Sequence, residues 1–205
     1  MKLLYATGNP AKFAAMKRRL EPLGIELYSL NDMKQKGMHV PQVEETGNTP
    51  LENACIKAQA YYEAFQMPVF SCDSGLYFEG AAAKEEPGVH VRTQGGVSLT
   101  DAQVSRRMID LVRKYGTITA YYRHAICMIV DEKHRYEVMD AITESRRFYL
   151  VETPHCGENR GFPIDRLSID IETGNYFYDI SEEAVDKLAV EEGVLKFFSA
   201  FITAN

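Results

Sequence analysis

Three short stretches of the chain combine small residues with charge in patterns that suit phosphate chemistry. The first is Ala6-Thr7-Gly8-Asn9-Pro10-Ala11-Lys12, a glycine turn between an apolar run and a helix start. There the free N–H groups and the positive end of the helix dipole face outward together, an arrangement that holds phosphate, and Lys12 adds a full positive charge. Alone, it equally describes a strand–turn–helix with a capping Asn and a solvated Lys, and no Walker-type G-x-x-x-x-G-K-[ST] accompanies it. The second is Val43-Glu44-Glu45-Thr46-Gly47, ahead of a helix carrying Asn53 and Lys57 at i,i+4 on one face. A carboxylate before that helix and a lysine two turns into it can hold a cation and the phosphates it neutralises; alone, they are also loop carboxylates and a surface lysine. The third is Phe70-Ser71-Cys72-Asp73-Ser74-Gly75-Leu76, a carboxylate at the end of an apolar strand. Such a group can ligate Mg²⁺ or orient a water, and strand ends are where α/β proteins keep their sites, although Asp-Ser-Gly also closes hairpins.

The elements that must position these residues follow from periodicity and capping. Lys2–Ala6 reads as a buried strand. A helix starts at the cap Asn9 with Pro10 at its first position, continues through Phe13, Met16, Lys17 and Leu20, and ends at Pro22 and Gly24. A second strand spans Ile25–Leu30, and a polar stretch runs from Asn31 to Asn48. Thr49-Pro50-Leu51-Glu52 is a capping box, opening a helix with Leu51, Ala54, Cys55, Ala58, Tyr62 and Phe65 on its apolar stripe. Pro68–Cys72 and Leu76–Glu79 read as strands flanking a tight turn at Asp73-Ser74-Gly75. Thr100-Asp101-Ala102-Gln103 opens another capped helix, with Val104, Met108, Leu111, Val112 and Tyr115 on one face. From Thr117 to Thr153 the period falls to two, through Ile118, Ala120, Tyr122, Ile126, Met128 and Val130, with further strands at Arg135–Thr143 and Arg147–Thr153. A loop covers Pro154–Arg166, a last strand Tyr176–Ile180, and Ser181 caps one or two terminal helices with a break at Gly193. The pattern is mixed α/β.

Composition narrows the class of partner. The 205 residues carry 23 Lys plus Arg against 29 Asp plus Glu, a net charge of −6, with 45% hydrophobic and 25% charged residues. That is the balance of one globular domain spanning residues 1–205, and its acidity argues against a nucleic-acid or anionic-membrane partner. No stretch approaches the roughly 20 apolar residues of a membrane span, and the N-terminal apolar run is too short for a signal peptide. Cys55, Cys72, Cys127 and Cys156 form no C-x-x-C pair, so neither a zinc site nor a disulfide framework is expected, and the setting reads as reducing and cytoplasmic.

Taken together and in order, ATGNPAK, VEETGNTPLENACIKA, CDSGLYFEG, PGVHVRTQGG and GFPID give a specific resemblance. The chain resembles the inosine triphosphate pyrophosphatase family, closely over residues 3 to about 97 and more loosely at Gly161–Asp165. The resemblance implies an α/β fold with an elongated mixed β-sheet, flanking helices and two lobes around a nucleotide cleft. It implies a cytoplasmic, homodimeric, Mg²⁺-dependent enzyme that hydrolyses a nucleoside triphosphate to the monophosphate and pyrophosphate. Carried over by residue, Thr7, Gly8, Asn9 and Lys12 cradle the triphosphate, Glu45 and Asp73 hold Mg²⁺, and Lys57 pairs with phosphate oxygens. Asp73 is the catalytic carboxylate acting on water. Asn53, Ser74, Gly75 and Arg92 join the substrate-binding set, Arg92 either bridging the lobes or reaching the nucleotide. Phe162 stacks on the base and Asp165 accepts from its ring N–H groups.

The chain departs from the family pattern in three places. Cys72 stands where the family has an acidic residue, with Glu44 and Glu79 as the neighbouring carboxylates, and it reads as a buried strand cysteine rather than a nucleophile. The base loop is Gly161-Phe162-Pro163-Ile164-Asp165-Arg166 in place of G-F-G-Y-D-P. The late S-H-R segment that reads a 6-oxo group has no counterpart; Val190-Glu191-Glu192 stands there, with Lys187 and Lys196 as the nearby cations. The expected activity is therefore triphosphate hydrolysis with an altered base preference. A nucleotide-binding protein that has lost catalysis and a scaffold dimer are the alternatives. His90 and His124 read as structural histidines.

Overall fold

The computed structural model describes residues 1–80, 85–157, 162–181 and 191–204. The apolar run Lys2–Tyr5 forms β1, lying parallel to Glu26–Ser29 (β2) on one side and to Val69–Phe78 (β3) on the other, with Tyr5 opposite both Ser29 and Phe70. Two short strands, Thr93–Gln94 (β4) and Val97–Ser98 (β5), make a separate hairpin. Its two-residue turn is Gly95-Gly96 with φ of +57° and +78°, values that glycine alone adopts freely. Ile118–Ile129 (β6) pairs antiparallel with Arg135–Val138 (β7) and with Phe148–Leu150 (β8), which in turn pairs with Ser168–Asp170 (β9). Among the described residues the main sheet has seven strands in the order β2-β1-β3-β6-β8-β9, with β7 also on β6, and is mixed as expected.

Helices form where the sequence caps them. Pro10–Leu20 (α1) starts at Asn9, whose Oδ1 accepts the Lys12 N–H at 3.2 Å, and Gly24 closes the following turn with φ +71°. Leu30–Gln35 (α2) lies in the stretch read as polar loop; it is nucleated by a capping box between Ser29 and Asp32 and anchored by buried Leu30 and Met33. Pro50–Phe65 (α3) and Asp101–Tyr115 (α4) have the capping boxes read at Thr49/Glu52 and Thr100/Gln103. On α3, Tyr61 is buried alongside Ala54, Ala58 and Phe65, while Leu51, Cys55 and Tyr62 are half-buried; on α4, Tyr115 is exposed. Glu191–Ala204 (α5) closes the described chain.

Several expectations are corrected. Asp73-Ser74-Gly75 is no turn: β3 runs continuously through it, because Leu76 exchanges both backbone hydrogen bonds with Gly88 at 2.9 Å and keeps the backbone extended. A Cβ at Gly75 would stand 3.0 Å from the Gly88 carbonyl carbon, so glycine is needed for that approach rather than for turning. Tyr176–Ile180 is a short 3₁₀ turn and Tyr176 makes only an isolated bridge to Ile169; the strand is β9, just before it. Gly193 lies inside α5, where a Cβ would come within 1.8 Å of the Ile142 carbonyl oxygen, so it serves helix packing. Arg135–Thr143 and Arg147–Thr153 are shorter strands than read, the former ending in a 3₁₀ turn at Ala141–Thr143. The helix read after Ser181 falls on 182–190, outside the described residues.

The chain divides into two compact units: Met1–Ser74, His124–Thr143 and Val190–Asn205 form the first, Gly75–Arg123 and Glu144–Ala189 the second. The first has a core of Leu4, Ala54, Ala58, Phe65, Val69 and Ile129 between α3 and the sheet. The second packs Leu76, Val104, Met108, Phe148, Leu150 and Leu167 under α4.

Candidate functional site

The first unit collects most of the charged candidates around one ammonium. Lys57 Nζ on α3 donates to Glu45 at 2.8 Å and to Asp73 Oδ1 on β3 at 3.2 Å. The Lys57 and Asp73 side chains are only 13% and 14% exposed, while Glu45 opens to solvent at 42%. Burial by itself pulls the Lys57 ammonium down, but the Asp73 charge and the Glu45 hydrogen bond outweigh it and its pKa is raised, so the ammonium stays charged.

Glu45 reaches this position because α3 holds its loop. Asn53 is buried, and its Oδ1 accepts the Gly47 N–H at 2.8 Å. Gly47 lies so close that a Cβ would meet Glu52 Cβ at 2.6 Å. One turn further, on the same face, Lys57 takes the Glu45 carboxylate. Asn53, expected to touch substrate, thus has its carbonyl committed to the loop. Asp73 reaches the site because the extended backbone of β3 alternates its side chains between faces: Val69 packs toward α3, and Asp73, four residues on, points the same way.

On the other face of β3, Cys72 is half-buried, with the Tyr5 hydroxyl acting on its thiol. Burial pushes its thiol up to about 12 despite the opposing charges of Lys12, Lys57 and Arg19. A thiol so raised stays protonated at neutral pH, the less reactive form. The Lys12 charge acts on Cys72 of β3, and among the described residues Lys12 has no carboxylate partner. In the turn before it, the Asn9 N–H donates to Thr7 Oγ1 at 3.2 Å, Thr7 is half-buried and Gly8 is exposed with open space around it. Ser74 Oγ shares a hydrogen bond of 2.7 Å with His124 Nδ1. His124 is the group that spacing gave no means to find, since fifty residues separate the pair and only the β3–β6 neighbourhood joins them.

In the second unit, Arg92 pairs with Asp101 at 2.6 Å and is exposed. Asp165 opens a 3₁₀ turn, and burial pushes its carboxyl up to about 7. The charges of Arg92 and Asp165 both act on the Tyr122 hydroxyl, whose pKa burial raises far above its ordinary value. Phe162 is 40% exposed, a ring free to stack. Glu79, a candidate substitute for the missing acid, is engaged by Arg147 at 2.9 Å. His90 is tied to Thr93 at 3.2 Å. Gly161, Lys187 and Val190 lie outside the described residues, as do the side chains of Glu191 and Glu192, while Lys196 is exposed on α5.

The donor set around Lys57 suits a hard divalent cation. Two carboxylates already converge on one positive charge, and oxygen donors are what Mg²⁺ takes. Asp73 Oδ1 is held by Lys57, whereas Oδ2 has no partner among the described residues.

Comparisons with known proteins bear on the family and the fold. The model of the Ham1 family matches residues 3–189. A dITP/XTP pyrophosphatase of Rhodopseudomonas palustris is 34% identical over 142 residues, 67% of this chain and 64% of that protein, so the match spans less than two thirds of its length. The dITP/XTP pyrophosphatase of Thermoanaerobacter sp. is 31% identical over 92% of this chain and 90% of its own. Among solved structures, a HAM1 protein from Coxiella burnetii superposes with a TM-score of 0.79 at 22% identity, with both chains fully covered. The Ham1 protein of Staphylococcus aureus gives 0.76 at 19%, covering 100% of this chain and 99% of its own. At those identities the structures attest the fold alone.

Proposed function

The chain belongs to the Ham1 family, and on that premise we propose that it is a nucleoside triphosphate pyrophosphatase, hydrolysing its substrate to the monophosphate and pyrophosphate. The observation that carries the reading is Lys57 held between Glu45 and Asp73, with the Lys12 charge acting on Cys72, the residue before Asp73. Water attacks the α-phosphorus, the α–β anhydride bond breaks, and the electron pair leaves with pyrophosphate. Stabilising the charge that gathers on that leaving group is the main task of the protein.

Lys57 and Lys12 supply fixed positive charge to the phosphate oxygens. Asp73 Oδ2 orients the attacking water while Oδ1 stays on Lys57. Thr7, Gly8 and Asn9 offer backbone and side-chain donors at the start of α1. Glu45 and Asp73 are the residues that would hold Mg²⁺, which would supply charge neutralisation and polarisation to the triphosphate. Ser74, with His124 behind it, and Gly75 and Arg92 complete the proposed contacts with substrate. Phe162 and Asp165 bear on the base, and the altered loop with Pro163 and Ile164 underlies a base preference shifted from inosine and xanthosine. The same reading makes the enzyme a cytoplasmic homodimer; among the described residues no helix is long and apolar enough to cross a membrane.

The test is pyrophosphate release from ITP, XTP, dUTP and the four standard ribonucleotides, with Mg²⁺ and with chelator. Metal-dependent turnover on at least one triphosphate, abolished by Asp73→Asn, is expected. Absence of turnover on every substrate refutes the reading. Thermal stabilisation by nucleotide without pyrophosphate release instead points to a binding protein that has lost catalysis, the reading Cys72 favours by standing where an acid is expected.

A further inference from the structure

Away from the Lys57 site, Cys55 on α3, Cys127 on β6 and Glu137 on β7 bring two sulfurs and a carboxylate oxygen within 4.8 Å of one another. The fold builds this meeting. Cys127 and Glu137 are direct cross-strand partners, so their side chains leave the same face of the sheet. Cys55 packs from α3 against the core cluster that contains Cys127. Arg135 pairs with Glu137 at 2.6 Å, and its positive charge acts on the Cys55 thiol. Cys127 is buried, Cys55 half-buried and Glu137 exposed, so the cluster opens to solvent on its carboxylate side.

We propose that Cys55, Cys127 and Glu137 form a metal site for a thiophilic divalent cation of the zinc class, with a fourth position open to water. Donor chemistry selects the ion: two sulfurs suit zinc and discriminate against Mg²⁺, which belongs with oxygen donors. Zinc sits about 2.3 Å from sulfur and about 2.1 Å from a carboxylate oxygen, so side-chain rotation must draw the three ligand atoms slightly closer together. Binding releases the two thiol protons to solvent as the metal–sulfur bonds form. Two thiolates and a carboxylate leave the zinc complex with one negative charge, and the Arg135 guanidinium at its side neutralises it. A bound ion would also pin α3, the helix that carries Lys57, to β6.

The proposal is tested on the whole reduced chain, stripped with chelator and titrated with Co²⁺ as the spectroscopic probe, then with Zn²⁺. One Co²⁺ per chain with an intense near-ultraviolet thiolate-to-metal band, displaced by Zn²⁺ and untouched by millimolar Mg²⁺, is expected, with a rise in Tm. Cys55→Ser and Cys127→Ala should each weaken binding by roughly 100-fold or more and Glu137→Gln by roughly 10-fold, while Cys156→Ser should leave it unchanged. Circular dichroism confirms that each variant is folded, and Cys55→Ser, at a half-buried position, carries the test if Cys127→Ala does not fold. Absence of the thiolate band, wild-type affinity in Cys55→Ser, or formation of a Cys55–Cys127 disulfide by a peroxide with no metal retained by the reduced chain would each overturn the proposal.

Discussion

Lys57 is the residue on which the proposed chemistry and the local stability both depend. Replacing it by Met leaves Asp73 and Glu45 facing each other with no charge between them. Turnover should fall by about 10²–10³-fold, the cost of removing one charged contact to the transition state. Urea unfolding should show a loss of about 1–2 kcal/mol, below the cost of breaking a fully buried pair because Glu45 is solvent-screened. Lys57→Arg should recover the stability but little of the rate, since a planar guanidinium does not reproduce the point charge of an ammonium. Equal loss of stability in both variants would show that packing, not charge, holds the cluster. Asp165 gives a pH signature of opposite kind. Burial raises its carboxyl to about 7, so the folded chain holds this proton more tightly than the unfolded chain does. Its contribution to stability is full below the unfolded value near 4 and is lost as pH rises to about 7, with a limiting slope of about 1.4 kcal/mol per unit. Asp165→Asn should flatten that slope in unfolding measurements between pH 4 and 8. A carboxyl resonance of Asp165 titrating near pH 4 in the folded chain would contradict it.

At the scale of elements, α3 acts as the frame of the site: it carries Lys57, and through Asn53 it fixes the loop that carries Glu45. Asn53→Ala leaves the Gly47 N–H without its acceptor at a buried position, which should cost about 1–3 kcal/mol. If Asn53 acts only through the loop, the variant should raise the Mg²⁺ concentration needed for half-maximal rate while leaving the rate at saturating Mg²⁺ close to normal. A collapse of turnover at saturating metal would instead mean that Asn53 touches substrate. The helix was legible in advance because Thr49 and Glu52 satisfy each other's backbone donors by a local rule that needs no tertiary information; the same holds for α4. Where local rules compete with tertiary contacts, legibility fails. Asp73-Ser74-Gly75 has the composition of a turn, yet pairing of Leu76 with Gly88 keeps it extended. Gly193 has the look of a helix break, yet it is the approach of Ile142 that demands it. Strand β9 is three residues long, too short for a period-two signal to emerge.

Across the whole molecule, the residues proposed to handle phosphate fall in the first unit and those proposed to face the base in the second. The residues proposed to handle phosphate are nominated by contiguous motifs, where spacing is geometry. The contact between Ser74 and His124 could not be read from sequence, because it exists only once β3 and β6 are neighbours, and the action of the Arg92 and Asp165 charges on Tyr122 is likewise a product of folding. This division predicts how kinetic effects should separate. Every nucleoside triphosphate presents the same phosphates, so Lys57→Met or Asp73→Asn should lower turnover by a similar factor for every base the enzyme accepts. Phe162→Ala removes a half-open aromatic face with no role in neutralising phosphate. It should leave kcat for the best substrate within a fewfold of normal and raise KM, because base–aromatic stacking contributes about 1–3 kcal/mol. It should also compress kcat/KM ratios among purine and pyrimidine triphosphates, since stacking area differs between them. Steady-state kinetics over the same substrate panel decides the matter. A Phe162→Ala enzyme with unchanged ratios, or a Lys57→Met enzyme whose losses vary widely from base to base, would show that the two tasks are not divided between these residues.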